Sequence, residues 1–202
     1  MYDKHFLSES LGDLFFQKFQ GINFISKNSD YFSDHSFSDI PESLLVRIED
    51  FSDCEIVKSV WPTNTRFKEI ASGSSKFLNC IFTQPPFLLA DLLYKKINDG
   101  INLKILFGQN SSIPDCNDLV EKLDLNKPSN SNMFEKRICE NVISNVVVSD
   151  SGACLMLGNK ENSTDMINAI VGYDRNFINW CKEFFEFKWN TGEKFARLRT
   201  KP

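Results

Sequence analysis

Histidine is the side chain best suited to pass protons or attack phosphorus near neutral pH. This sequence holds two, His5 and His35, both within its first 35 residues. Everything downstream lacks the imidazole that Ser-His-Asp, Cys-His and His-based zinc schemes require. The serines around Asp150-Ser151-Gly152 and in the FGQNSS run have no base near them in sequence. The GSSK run at 73–76 lacks the spacing of a phosphate-cradling loop, and a loop-to-strand junction is its ordinary use. Carboxylate pairs such as Glu49-Asp50 and Asp53 with Glu55 fall at a helix end and in a loop, where a solvated surface accounts for them. Six cysteines are spread singly with no CxxC, four of them in apolar strand-like runs, which reads as buried thiols in a reducing cytosol. No metal constellation and no cofactor motif emerges.

The chain's chemistry must therefore come from how its elements are arranged. A helix is expected over 9–32, with Ser8 as its cap and Leu11, Phe15, Phe19, Ile22, Ile25 and Phe32 on one stripe. Such a helix must lie on the domain or on a partner chain, because one apolar stripe cannot face water alone. The acidic, Ser-rich SDYFSDHSFSD run reads as a surface connection, followed by a helix from Pro41 capped by Ser38 or Asp39. Beyond it strands and helices alternate: strand 54–60, helix 66–71, strand 77–82, helix 86–98 and strand 101–107. Continuous apolar strands between helices imply parallel crossovers and a sheet covered on both faces. A modest helix is expected at 115–123, then consecutive strands at 134–139, 144–149 and 153–157, the last two joined by a tight turn at Asp150-Ser151-Gly152. A final strand, 169–172, leads to Asp174 as the N-cap of a long helix carrying Phe177, Trp180, Cys181, Phe184 and Phe185 as core. The fold class is thus α/β, a mostly parallel layered sheet with helices on both faces, a β-hairpin region and a long N-terminal amphipathic helix.

The net charge is −4 and the pI about 5.3, so the chain does not work mainly by spreading over phosphates. Residues 1–53 hold ten Asp or Glu against four Lys or Arg, a surface that repels nucleic acid. The longest uncharged run, 77–90, is broken by Gln84, Pro85 and Pro86, and no signal peptide is visible. A cytoplasmic protein without membrane partners is expected.

Four blocks carry a resemblance: DIPESLLVRIEDFSDCEIVKS, LLYKKINDGINLKILF, NVVVSDSGACLMLG and NAIVGYDRNFINWCKEFFEFKW. In this order and spacing, 39–194 resembles the effector domain of archaeal winged-helix transcriptional regulators of the methanogenesis-regulator type. The resemblance implies that 1–35 is a winged-helix remnant running into a linker and dimerisation helix, and that 36–202 is an effector-sensing α/β domain. It also implies an unknown small-molecule effector, a homodimer through Leu11, Phe15, Phe19, Ile22 and Ile25, and DNA contact only through a winged-helix head. The chain ahead of the helix is too short for that head, so a fragment or a natural stand-alone sensor is expected.

Sensor domains of this kind look like half of a phospholipase-D-type unit, whose catalytic strand carries H-x-K-x4-D. Aligned on Asp150, Asn145 takes the lysine position and Ile143 the histidine position, with Gly158-Asn159 at the later turn. Covalent phosphohistidine chemistry cannot run with isoleucine there, and Asp150 alone is ordinary turn chemistry. The expectation is a non-catalytic sensor. Its ligand cleft is placed at the strand ends by Trp61, Thr63, Thr83 and Gln84, together with Gly108, Gln109, Asn145 and Asp150. A ligand-free protein-interaction module is the alternative, and a diverged phosphodiesterase a further one.

Overall fold

The computed structural model describes residues 4–84, 86–109, 112–113, 133–194 and 199–200. Its centre is an eight-stranded sheet. In chain order the strands are β2 (Glu55–Val57), β3 (Phe77–Phe82), β4 (Asn102–Gly108), β6 (Phe134–Cys139), β7 (Asn145–Ser149), β8 (Gly152–Met156), β10 (Ala169–Gly172) and β11 (Glu193–Lys194). They lie side by side as β11-β6-β4-β3-β7-β8-β10-β2. Two short pairs lie outside it: β1 (His35–Ser36) with β9 (Gly158–Asn159), and β5 (Ser112–Ile113) with β12 (Arg199–Thr200). The helix expected at 115–123 lies outside the described residues.

Within the eight-stranded sheet, parallel pairing is confined to β3–β4 and β4–β6, where the apolar runs FLNCIF and NLKILFG sit in register from Phe77 opposite Asn102. The other neighbouring pairs are antiparallel. The sheet is therefore mixed rather than mostly parallel. The reason is local: a two-residue turn after Ser149 can only return the chain antiparallel, and it commits β7 and β8 to a hairpin with Ser149 opposite Gly152. The first of the three consecutive strands, 134–139, joins the far side of β4, with β4 and β3 between it and β7.

Alternation along each strand assigns the two faces. Leu78, Cys80, Phe82, Val147, Cys154 and Met156 meet α4 (Val60–Gly73) and α5 (Ala90–Asn98). Ile81, Val146, Val148, Ala153 and Leu155 meet α6 (Arg175–Thr191) and the N-terminal segment. β7 and β8 are buried along their whole length, which is why they read as uninterrupted apolar runs. Asp174 caps α6 as expected, accepting from the Asn176 and Phe177 N–H groups. The aromatic stripe of α6 is core: Trp180 is buried and its Nε1 donates to the Leu44 carbonyl at 2.9 Å.

The N-terminus departs most from expectation. The helix is split into α1 (Lys4–Lys27) and α2 (Ser29–Asp34). The run read as a surface connection is instead packed into the protein: Tyr31 is buried, Phe32 rests on the same cluster, and His35 and Asp39 are buried polar groups. Acidic and serine content misleads there because the aromatic residues between them point inward. Asp39 caps no helix. α3 (Glu42–Leu45) starts after Pro41 without a side-chain cap, and the strand expected from residue 54 is only three residues long.

α1 docks by one end. Gly21 lies against the backbone of the 3-10 turn Ile48–Phe51, so closely that a Cβ would stand 2.4 Å from the Ile48 carbonyl oxygen. Phe24 is buried beside it, Ile25 is half-buried, and Lys18 pairs with Glu49. The rest of the stripe faces outward: Leu11, Phe15, Phe19 and Ile22 are each at least half exposed, as are Leu14 and Phe16.

Candidate functional site

β3, β4 and β6 end at one edge of the sheet, and β7, antiparallel to β3, begins there. Its first residue, Asn145, is 2% exposed and stands opposite Met156, the last residue of β8. The Asn145 Oδ1 accepts the Thr83 backbone N–H at 2.7 Å. That bond fixes the amide and turns its Nδ2 toward two thioethers, Met166 Sδ at 3.3 Å and Met156 Sδ at 3.9 Å. A cleft of about 180 Å³ opens above it. Phe82, Asn145 and Met156 form its floor, α4 contributes Asn64 and Phe67, and Leu88, Leu89, Gln84 and Met166 complete the wall. Asn64, Gln84 and Asn145 are its polar side chains, all neutral amides, and no charged group lines it among the described residues.

The two loops behind the cleft are braced. Thr164 Oγ1 donates to the Ile143 carbonyl at 2.7 Å and shares a hydrogen bond with Thr83 Oγ1 at 2.8 Å. Asp165 accepts from the N–H groups of Ile167 and Asn168 and from the Asn168 side chain. Burial raises its pKa, but these bonds and His35 outweigh burial and hold the carboxyl below its ordinary value. His35 Nε2 lies 3.0 Å from Asp165 Oδ2, with its ring stacked on Tyr31 at 3.9 Å between centroids. A second tie runs through Asp39, whose carboxylate accepts from the N–H groups of Ile143 and Ser144 and from the Ser144 hydroxyl. The segment below α1 is thus fastened to both loops that back the cleft.

The residues expected at the cleft divide into groups. Gln84 and Asn145 line it, and Thr83 holds Asn145 in place. Trp61 and Thr63 end no strand; both belong to α4. Trp61 is 81% exposed one turn before Asn64, whereas Thr63 is buried and braces the 158–168 loop by donating to the Ile167 carbonyl at 2.8 Å. Gln109 lines a separate depression of about 360 Å³ with Glu140, Lys188 and Thr191, and Gly108 is buried within β4.

Asp150 does not belong to the cleft. It stands at the other end of β7, roughly 16 Å away at ~3.3 Å per residue. There it accepts from the Ser75 and Lys76 N–H groups and the Ser75 hydroxyl, closing the loop that enters β3. Burial opposes ionisation, but these donors prevail and lower its pKa to about 2. Ile143 packs against Gly158, where a Cβ would come within 2.5 Å of its side chain. The sequence reading missed Asn64, Phe67, Met156 and Met166 as lining, and missed the roles of His35 and Asp39.

Burial pushes the thiols of Cys80, Cys154 and Cys181 up, so they stay protonated and inert. Cys116 lies outside the described residues. Among the described residues no group of three or more His, Cys, Asp or Glu could hold a metal ion, and no helix is long and apolar enough to cross a membrane.

No protein-family model matches the sequence, and no curated protein matches it. Solved structures do. TrmBL2, an archaeal chromatin protein with a novel mode of DNA binding, superposes with a TM-score of 0.54 at 14% identity, covering 95% of this chain and 67% of that one. NucT from Helicobacter pylori gives 0.51 at 10% identity, covering 70% of this chain and 98% of that one. Nuc from Salmonella typhimurium, a phospholipase D family member, gives 0.49 at 12% identity, with 71% and 99% covered. At these identities the likeness is one of fold: the chain is similar in fold to an archaeal DNA-binding chromatin protein.

Proposed function

We propose that this chain is the ligand-sensing and dimerisation domain of an archaeal transcriptional regulator and that it is not a catalyst. A small molecule enters the cleft at Asn145 and favours one setting of the α1 helices across a homodimer. DNA is then reached only through a winged-helix head carried outside these residues. The observation that carries this reading is a cleft at the sheet end with no charge among its described lining residues, and with Asn145, at the sequence position of a phosphate-binding lysine, in its floor; Ile143 stands at the sequence position of the nucleophilic histidine. Phosphoryl transfer needs cations to stabilise the oxygens of the transition state, and a neutral amide beside two thioethers supplies none. The fold of TrmBL2 and the resemblance carried by the four sequence blocks support the regulatory context.

Coupling by population shift needs a contact between the occupied site and the moving part. The ties from His35 to Asp165 and from Asp39 to Ser144 supply it, because they link the base of α1 and α2 to the loops carrying Met166 and Asn145. Thermal melting of the chain against a broad metabolite panel tests the reading. A true ligand at about 100 times its Kd adds ~2.7 kcal/mol to stability. Selective stabilisation together with a ligand-dependent change in light scattering is expected. Robust phosphodiester hydrolysis abolished by Asn145→Ala would refute it. The exposed stripe of α1 also suits an interaction module that binds no ligand; a dimer in solution with no stabilising metabolite would favour that.

A further inference from the structure

The lining of the Asn145 cleft specifies a class of ligand. Resting on the sensing reading above, we propose that the cleft takes an uncharged, mainly apolar molecule of the size of a substituted single aromatic ring, presenting one oxygen acceptor to the Asn145 amide. Three independent features lead there. The first is size. A volume of about 180 Å³ is far below the ~300–1,000 Å³ of sites for drug-sized ligands, and of the order of the ~150 Å³ cavity that holds benzene.

The second is polarity. Phe67, Phe82, Leu89, Met156 and Met166 supply most of the lining, so a sugar would leave most of its hydroxyls without partners. An anion or cation would meet no opposite charge among the described lining residues. Apolar surface continues at the mouth: Leu88 of the wall is 67% exposed, and Ile167, next to Met166, is 51% exposed. Trp61 lies on α4 one turn from Asn64.

The third is the amide itself. Asn145 is buried with its oxygen already engaged by the Thr83 N–H, so what it offers the cleft is its NH2 group. Among the described residues, that group now donates only to sulfur, a weak acceptor. A carbonyl or hydroxyl oxygen entering beside Met166 would accept from Nδ2 in place of the thioethers. The amide therefore selects an acceptor rather than a donor.

The test uses the full chain and ligand-observed NMR with acetophenone, toluene, benzoate, benzylamine and glucose. Acetophenone should bind in the millimolar range or better. Toluene should bind about fivefold more weakly, for want of one buried hydrogen bond. The charged probes and glucose should show no saturable binding. Asn64→Trp, which fills the mouth from a half-buried helix position, should abolish acetophenone binding while leaving the melting temperature close to that of the parent. Asn145→Leu should remove the preference for acetophenone over toluene. Acetophenone binding that survives Asn64→Trp, or tighter binding of benzoate or glucose, overturns the ligand class. Should a polar metabolite stabilise the chain and be blocked by Asn64→Trp, the class fails while the sensing reading stands. Should no probe and no metabolite bind, both fail.

Discussion

Gly12 and Gly21 share α1 but meet different surroundings, and replacing each with alanine separates the helix's own stability from its docking. A Cβ at Gly12 would meet nothing within 4 Å. Alanine there removes only the entropic penalty of glycine in a helix, a gain of about 0.5–1 kcal/mol. At Gly21 the added Cβ would stand 2.4 Å from the Ile48 carbonyl oxygen and 2.5 Å from the Glu49 nitrogen, both main-chain atoms that cannot swing aside. Restoring an ordinary separation moves the helix back by about 1 Å, which loosens Phe24 from Phe51 and Phe32 and stretches the Lys18–Glu49 pair. Overpacking of this kind costs about 1–3 kcal/mol, and the same propensity gain offsets part of it. The net expectation for Gly21→Ala is a loss of about 1–2 kcal/mol, or roughly 2–8 °C in Tm for a domain of this size. Urea denaturation followed by circular dichroism reads both variants. If Gly21→Ala is as stable as Gly12→Ala, α1 does not rest on the 48–51 turn, and the helix seat described above is wrong.

Phe15→Asp combined with Ile22→Asp should abolish a dimer seen by light scattering while leaving monomer stability within about 0.5 kcal/mol, since both side chains are at least half exposed; an unchanged dimer would discard the pairing role of α1. Asp150→Ala should cost about 1–2 kcal/mol in urea melts by stripping the acceptor from Ser75 and Lys76, yet leave ligand affinity in the Asn145 cleft unchanged. The same carboxylate predicts acid behaviour: its folded pKa of about 2 lies below the unfolded value, so its stabilisation is complete above about pH 4 and is lost as pH falls toward 2. Its partial exposure screens that contribution to about 1 kcal/mol, and Asp150→Ala should flatten the acid limb of the stability profile by that amount. His35→Ala should cost about 2–3 kcal/mol through the emptied ring site and the lost Asp165 contact. It should also weaken the effect of ligand on dimerisation more than it weakens ligand binding.

Much of the sheet was legible because its strands are either continuous apolar runs or follow a turn whose chemistry fixes the return. The Asp150-Ser151 turn even determines the cleft floor: once Ser149 faces Gly152, counting outward places Asn145 opposite Met156. That signal lay in the sequence, and following it would have found Met156. The side of the sheet taken by 134–139 was not legible. It depends on which edge of β4 is free, a long-range matter that local periodicity does not encode. The N-terminal segment misled for a different reason. Composition averages over both sides of the chain, so SDYFSDHSFSD scores as polar although Tyr31, Phe32 and Phe37 pack together and carry His35 and Asp39 inward with them. Asp150 illustrates the limit of motif alignment: it kept the aspartate of the pattern, while strand direction put that residue at the wrong end of the sheet.

In the proposed sensing role, the buried ties of the N-terminal segment would set how the domain signals. A buried polar group is costly unless it is bonded, so His35, Asp39 and Asp165 hold the N-terminal segment to the cleft loops only in arrangements that keep their partners. Moving Met166 to admit a ligand disturbs the loop whose Asp165 carboxylate must satisfy Ile167, Asn168 and His35 together. The loop can shift with His35, carrying the base of α1, or it can shift without it and leave the imidazole facing a vacated acceptor. The second course costs about 1–3 kcal/mol, comparable with a typical coupling free energy between sites. On the proposed sensing role, occupancy at the sheet end would therefore reach the exposed α1 stripe through His35 and Asp39, side chains that composition alone assigned to a solvent-facing connection.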